Sequence, residues 1–479
     1  MYGAGVAKVI NPDICVIGGG AAGLSVAAGA VAFGVPVVLI ERGSMGGDCL
    51  NHGCVPSKTL IAAARHAQTI RTAGRFGLTA SEPAVDYERL HARIHKVIAG
   101  IAPHDSVERF TGLGVEVLQS SARFVDENTV AAGDHLIRAR RFVIATGSSP
   151  AIPDIQGLDK VPFLTNETLF DLTRLPAHLL IVGAGPVGIE MAQAYRRLGA
   201  EVTVIESRRA LSGADPELAS IAIAALRAEG VVLHEATTIL EAVQSGGRIV
   251  LRCENGSGAF QLEGSDLLIA AGRRPNHASL GLSAAGIDHG AKGIEVGSNL
   301  RTSNRRVYAI GDAAGGLQFT HVASYHARLV LQQLLFRLPA REHRAIVPKV
   351  TYSDPEIAEV GWSGAEARDK CGAVEIIRTD LALSDRARTD GVEAGLVKIV
   401  VGRRGRILGV GIAAPGAGEL ISMWSLVVAN GMTLKQVRGY VAPYPTLSEI
   451  GKQAVISYYA PLAKNAVVRS VIRALRVFG

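Results

Sequence analysis

Unbroken apolar runs, each leading into a glycine-rich turn and a helical stretch, occur twice along the chain. Ile14-Cys15-Val16-Ile17 predicts a strand buried on both faces. Gly18-x-Gly20-x-x-Gly23 then predicts a tight turn, the alanine-rich stretch after it a helix, and Val37-Val38-Leu39-Ile40 a second strand that ends on Glu41. The same order returns at Leu179-Leu180-Ile181-Val182, Gly183-x-Gly185-x-x-Gly188, a helix through Arg197, Val202-Thr203-Val204-Ile205 and Glu206. In both copies the acid stands 23 residues after the first glycine. Residues 14–40 carry no charge, but Gly18, Gly19, Gly20, Gly23, Gly29, Gly34 and Pro36 cut the stretch into strand, turn, helix and strand, so it does not read as a membrane span. From 341 onward the pattern changes to β-type alternation at 347–352, 397–401 and 407–412, with helices predicted near 418–430 and 447–459.

Each glycine turn has a physical reading. Glycine permits a tight turn and close backbone approach to a pyrophosphate, the following helix offers partial positive charge, and the acid accepts hydrogen bonds from ribose hydroxyls. One such turn is a weak signal; two in full strand, helix, strand and acid context predict two bound dinucleotides. A later run, Val307-Tyr308-Ala309-Ile310, ends in Gly311-Asp312 and predicts a return to the first sheet. The expected fold class is α/β, with two Rossmann-like dinucleotide-binding domains and a C-terminal α+β domain. The expected limits are 1–150, 151–276, a return segment at 277–340, 341–460, and a basic amphipathic stretch at 461–479.

The 479 residues fit about three domains of ~150 each, and 48% hydrophobic against 19% charged residues excludes disorder as the main state. The formal charge of +7 invites a nucleic-acid reading. Lys464, Arg469, Arg473 and Arg476 hold four of those charges, however, and the remaining +3 forms no basic stripe, so no nucleic-acid partner is expected. Five scattered cysteines, an odd number, favour a reducing compartment, and the first twelve residues lack the apolar core of a secretory signal. A cytoplasmic location is expected.

Cys49 and Cys54 stand in Gly46-Gly47-Asp48-Cys49-Leu50-Asn51-His52-Gly53-Cys54-Val55-Pro56-Ser57-Lys58. On an unbroken helix their Cα atoms would lie beyond the ~4.4–6.8 Å that a disulfide tolerates, so bridging them needs a loosened turn, which Gly53 can supply. A strained or exposed disulfide is readily reduced, which suits a redox role. Metal binding is the competing reading, although no second cysteine pair or histidine cluster of fitting spacing accompanies it. Two unrelated thiols are the third.

These residues resemble the pyridine nucleotide-disulfide oxidoreductases, and Ala145-Thr146-Gly147, Gly272-Arg273-x-Pro275-Asn276, Gly311-Asp312 and Pro445-Thr446-x-x-Glu449 extend the resemblance over nearly the whole chain. The resemblance implies an FAD domain, an NAD(P) domain and a dimerisation domain, hence a homodimer. It implies FAD on Gly18, Gly20, Gly23, Glu41, Gly147 and Asp312, and NAD(P)H on Gly183, Gly185, Gly188 and Glu206. It further implies a Cys49–Cys54 redox disulfide, with Cys54 on the flavin side and Cys49 as exchange thiol, and a Lys58–Glu190 ion pair beside the flavin ring. Electrons would pass from NAD(P)H through FAD to the disulfide and on to a small-molecule acceptor, a disulfide or a soft metal ion; no resident metal is implied.

One departure matters. Disulfide-reducing members close on His-Pro-Thr-x-x-Glu, whose histidine and glutamate serve the other subunit's exchange thiol as acid and base. This chain has Tyr444-Pro445-Thr446-Leu447-Ser448-Glu449. Tyrosine titrates near ~10 and histidine near ~6.5, so a phenol donates a hydrogen bond at neutral pH but accepts a thiol proton poorly. General acid–base work is worth roughly 10² to 10⁴ in rate, so disulfide exchange is expected to be slow. Tyrosine here is similar to the mercuric reductase branch, as are Tyr352-Ser353-Asp354-Pro355, Val360-Gly361 and Ala414-Pro415-x-Ala417-Gly418-Glu419-Leu420-Ile421. A soft ion held by two thiolates needs electrons more than a proton shuttle. Against that branch, Arg476-Val477-Phe478-Gly479 offers no vicinal cysteine pair, no metal-binding extension precedes the first strand, and Asp48 stands where threonine is usual. A mercuric-reductase-like flavoprotein is the leading expectation. Dihydrolipoamide dehydrogenase, with His321 or His326 as substitute base against a blander role in packing or flavin contact, is the alternative, and a flavin-bound redox sensor or electron-carrier module is a third reading of another class.

Glu206 favours NADH by repelling a 2′-phosphate, while Arg208 and Arg209 stand close enough to bind one. Cys15, Cys253 and Cys371 are expected to be structural. Val467, Val468, Val471, Ile472 and Leu475 fall on one side of a helix with arginines opposite, a helix expected to be packed or solvated, or else to touch an acidic membrane surface.

Overall fold

The computed structural model describes residues 8–392 and 394–478. A first parallel sheet runs in the order Val307–Ala309, Arg141–Ile144, Ile14–Ile17, Val37–Glu41, Glu116–Gln119. Ile14–Ile17 is buried along its whole length because helices cover one face, at Ile14 and Val16, and strand residues Phe124, Val130, Ala132 and Ile137 cover the other, at Cys15 and Ile17, which is why the sequence shows an unbroken apolar run there and no alternation. The late strand Val307–Ala309 pairs with Arg141–Ile144 and so joins a sheet begun near residue 14.

A second parallel sheet runs Val232–His234, Glu201–Ile205, His178–Val182, Asp266–Ile269, with a three-stranded antiparallel sheet over 238–264 beside it. Where the chain enters and leaves this unit, Ser148–Pro150 and Arg273–Pro275 pair as an antiparallel ribbon. The helix Pro186–Leu198 begins on proline, whose fixed φ suits a first turn, and ends on Gly199 at φ +111. The helix Cys54–Thr72 packs against it, and Leu60 and Ala64 share one core with Ile189 and Ala192.

The third sheet is antiparallel throughout, in the order Lys349–Thr351, Glu356–Gly361, Ile407–Ala414, Leu396–Val401, Glu375–Asp380. Ile399, Val410 and Ile412 meet Ile421 and Trp424 of the helix Ala417–Ala429 and Val455 of Glu449–Tyr459 in its core.

One expectation is corrected. Cys371 is exposed at the last position of the helix Gly364–Cys371, so it packs nothing, whereas Cys15 and Cys253 are buried. The helix Ala466–Leu475 has no buried residue, so its apolar side is not packed on this chain. Among the described residues no helix is long and apolar enough to cross a membrane.

Candidate active site at the dithiol turn

The two glycine turns are built alike. Gly18 has φ +114 and Gly183 φ +103, and a Cβ there would meet Ala145 O at 2.3 Å and Ala270 O at 2.5 Å. A Cβ on Gly23 or Gly188 would lie 1.8 Å from Gly18 O or 2.0 Å from Gly183 O, so helix and turn approach too closely for any other residue. The middle glycines differ: nothing lies within 4 Å of a Cβ at Gly185, and at Gly20 only Gly47 Cα, at 3.8 Å. On that open side the helices Ala21–Val31 and Pro186–Leu198 begin with no side-chain cap and no acid in the first turn, leaving N–H groups free for phosphate. Glu41 accepts from Gly19 N at 2.5 Å and Gly43 N at 2.7 Å, and Glu206 accepts from Ala184 N at 2.9 Å and Arg208 N at 2.8 Å. The acids thus hold equivalent places in the two copies, and the residues fit two dinucleotides. Gly147, at φ +67, also faces open space, and Asp312, which accepts from Ser148 Oγ at 2.5 Å, is pushed up in pKa by burial.

The thiol turn is seated on the first glycine turn through Gly46 N, which donates to Gly19 O at 2.9 Å. A short helix, Gly47–Asn51, carries Cys49; His52 and Gly53 interrupt it; the helix Cys54–Thr72 then starts on Cys54. That break replaces the unbroken helix on which the two sulfurs would stay apart. Both cysteines are free thiols, and each shifts the titration of the other. Asp48 ties the turn down, accepting from Asn166 Nδ2 at 2.9 Å and pairing with Arg273 at 3.1 Å. Arg273 also donates to Ser148 Oγ and O, each at 2.7 Å, so the clasp reaches the ribbon between the two nucleotide units.

Cys54 is the first residue of a 19-residue helix, where the dipole favours negative charge. Its pKa is drawn down to about 6, first by the hydrogen bond from Cys49 and then, against burial, by the Thr320 hydroxyl and the charge of Lys58. The Thr320 oxygen lies 3.3 Å from the sulfur. Cys49 is pushed well up, first because Cys54 holds its proton and then by burial. The pair is therefore a thiolate at Cys54 and a thiol at Cys49.

Lys58 follows Cys54 by one helical turn, and the packing of the two helices carries it to Glu190, 132 residues away. Its Nζ lies 2.8 Å from Glu190 Oε2 and 4.4 Å above the Tyr352 ring. The buried Glu190 also accepts from Tyr352 N at 2.9 Å, so one carboxylate fixes both.

Other candidates fall elsewhere. Tyr444 is exposed and donates to Asp385 at 3.2 Å, and this carboxylate raises the phenol's pKa. Glu449 opens the helix Glu449–Tyr459, and the structure brings neither residue to the thiols of its own chain. His326 is buried, accepting from Gly311 N at 3.1 Å and lying 3.1 Å from Glu342. His321 is spent on Pro348 O at 2.8 Å and stacks on Phe319. The buried His326 has a packing role, while His321 is exposed, and neither is bonded to Cys49 or Cys54 among the described residues. Sequence reasoning missed Thr320, Asn166 and Asp385, for which no local motif gave a signal. No group of three or more His, Cys, Asp or Glu side chains fit to hold a metal ion occurs among the described residues.

Residues 12–327 match the pyridine nucleotide-disulphide oxidoreductase family, and residues 347–455 its dimerisation domain. The chain is 35% identical over 455 residues to a mercuric reductase of Bacillus cereus, covering 94% of this chain and 72% of that protein. It is 30% identical over 453 residues to a dihydrolipoyl dehydrogenase of Bacillus subtilis (strain 168), covering 93% and 98%. The Cu(II) complex of the HOCl-induced flavoprotein disulfide reductase RclA from Escherichia coli superposes with a TM-score of 0.81 at 26% identity, over 91% of this chain and 98% of the other. With its two glycine turns, its dithiol turn and these matches, the chain belongs to the pyridine nucleotide-disulphide oxidoreductases, enzymes that use FAD and NAD(P)H.

Proposed function

We propose that this enzyme passes electrons from NAD(P)H through Cys49 and Cys54 to a soft metal ion of the Hg²⁺ kind in preference to a disulfide. The observation that carries the reading is the dithiol turn itself: a thiolate at Cys54 beside a thiol at Cys49, with no imidazole bonded to either among the described residues. Gly18, Gly20, Gly23, Glu41, Gly147 and Asp312 hold FAD, and Gly183, Gly185, Gly188 and Glu206 hold NAD(P)H, with Glu206 favouring NADH. The segments 1–150 and 277–340 then make the FAD domain, 151–276 the NAD(P) domain and 341–460 the dimerisation domain. Bound FAD supplies a two-electron relay between nicotinamide and sulfur.

The protein's own groups set which acceptor is served. Lys58, fixed by Glu190 and the Tyr352 ring, keeps a cation near the Cys54 thiolate. A soft dication docking between the sulfurs displaces the one proton that Cys49 keeps, and its reduction to the element takes two electrons and no proton. Reduction of a disulfide takes two electrons and two protons, and so calls for an acid and base. In the homodimer Tyr444 and Glu449 serve the dithiol turn of the partner subunit, and a phenol bound to Asp385 is a weak agent for that exchange. The mercuric reductase relative and the Cu(II) complex of RclA support a metal acceptor.

Steady-state NADH oxidation with Hg²⁺, lipoamide and glutathione disulfide tests the reading. Turnover of Hg²⁺ is expected to exceed that of either disulfide by about 10² or more, the share of rate that acid–base work supplies. Lipoamide turned over as fast as Hg²⁺ overturns it in favour of a dihydrolipoamide dehydrogenase.

A further inference from the structure

The helix Ala466–Leu475 is well formed, yet none of its residues is buried by the described residues. Asn465 caps it, accepting from Val467 N at 2.9 Å and Val468 N at 3.2 Å, so it has a defined start. At 3.6 residues per turn, Val467, Val468, Val471, Ile472 and Leu475 share one side, and Arg469 and Arg473 share the other. The apolar side stands in water: Val467 is 71% exposed, Val471 53% and Leu475 62%, with Phe478 just beyond at 87%. A contiguous apolar stripe of this kind marks a contact surface. It also lies beyond residue 455, where the match to the dimerisation domain ends.

Charge selects the occupant. No acidic residue follows Glu449, while Lys464, Arg469, Arg473 and Arg476 surround the stripe. The covering surface must therefore be apolar in depth and anionic at its edge. A second copy of this helix meets the first condition and fails the second, leaving the arginines unanswered. A bilayer containing anionic phospholipid meets both. Ten residues span about 15 Å, half a bilayer core, so the helix lies along the surface and does not cross it.

We propose that the helix Ala466–Leu475 docks this enzyme on anionic phospholipid membranes, with Val467, Val471 and Leu475 seated among the acyl chains and Arg469, Arg473 and Arg476 on lipid phosphates. Full-chain holoenzyme is sedimented with vesicles of equimolar phosphatidylcholine and phosphatidylglycerol, and with phosphatidylcholine vesicles alone. Wild type is expected on the anionic vesicles and far less on the neutral ones, with binding weakened by salt. Arg469→Glu/Arg473→Glu/Arg476→Glu is expected to lose at least about fivefold in partitioning per arginine. Val471→Asp/Leu475→Asp is expected to lose it as fully, and both variants should oxidise NADH in solution as wild type does, which shows that they fold. Wild type left in the supernatant with anionic vesicles overturns the proposal, as do variants that sediment like wild type. Dissociation of the Val471→Asp/Leu475→Asp dimer in sedimentation velocity also overturns it, by assigning the stripe to a subunit contact.

Discussion

The Tyr444 hydroxyl donates a 3.2 Å hydrogen bond to Asp385, a residue 59 positions earlier that opens the short helix Asp385–Thr389. The acid holds the phenol as a donor and keeps its pKa above the ordinary ~10. Such a group takes no proton from a thiol at neutral pH. Tyr444→His is therefore expected to raise lipoamide-dependent NADH oxidation by up to about 10² and to leave Hg²⁺ reduction largely unchanged. Steady-state rates with the two acceptors decide. A wild type already fast on lipoamide, with a histidine variant no faster, sinks the proton argument.

Cys54 titrates at about 6 in the folded enzyme, against ~8.5 for an ordinary thiol. The thiolate absorbance of the reduced enzyme, taken against Cys54→Ser as blank, should rise through about pH 6. Cys49→Ala removes the largest cause and is expected to move that midpoint upward most, Thr320→Val less and Lys58→Met less again. The stability consequence has a definite sign. The folded value lies below the unfolded one, so the contribution of this thiolate is fully present above ~8.5 and is lost as pH falls through about 6. Cys49 keeps its proton in the folded state, while in the unfolded chain it titrates near ~8.5, so its opposing slope is confined to the top of that window. Denaturant midpoints should climb with pH over this range in wild type and climb less in Cys54→Ser; parallel curves would show that the thiolate is not favoured by folding.

The two nucleotide units were legible because their cause is local. Ile14–Ile17 and His178–Val182 lie in parallel sheets covered on both faces, so burial writes itself as an unbroken apolar run, and Gly18 and Gly183 are dictated by one turn each. In the third sheet, Glu375–Asp380 is an outer strand that buries only Ile377 and Thr379, too sparse a pattern to stand out. The groups that tune the thiols were invisible for another reason. Thr320 lies 266 residues from Cys54, and Asn166 lies 118 from Asp48. Only the packing of distant segments, which no spacing records, brings them in.

The ion pair of Lys58 and Glu190 predicts an asymmetric pair of variants. Lys58→Met strips the cation from a buried carboxylate, and breaking a buried pair in this way costs about 3–5 kcal/mol. The Lys58 side chain is 37% exposed, however, so water screens part of the pair, and about 1–2 kcal/mol is the expected loss. Glu190→Gln keeps an oxygen for Tyr352 N–H and leaves the partly exposed ammonium to water, so it should cost less. Urea unfolding midpoints compare the two, and a larger loss in Glu190→Gln would mean that the bond to Tyr352, not the charge of Lys58, governs the site.

Gly185 and Gly188 stand three residues apart in one turn and should fail in opposite ways. An alanine methyl at Gly188 would lie 2.0 Å from Gly183 O, forcing the helix off its strand. Overpacking of that kind costs about 1–3 kcal/mol or more, so Gly188→Ala is expected to lower the unfolding temperature. Gly185 has φ −72, open to any residue, and nothing within 4 Å of a Cβ, so Gly185→Ala should fold within about 0.5 kcal/mol of wild type. Its methyl would instead occupy the side on which a pyrophosphate meets the helix N-terminus. Loss of one hydrogen bond to a charged group, about 1.5–3 kcal/mol, raises KM for NADH by about 10- to 100-fold, with flavin content unchanged. An unchanged KM in Gly185→Ala would place the nicotinamide dinucleotide elsewhere, because no other consequence of that methyl competes with the blocked approach.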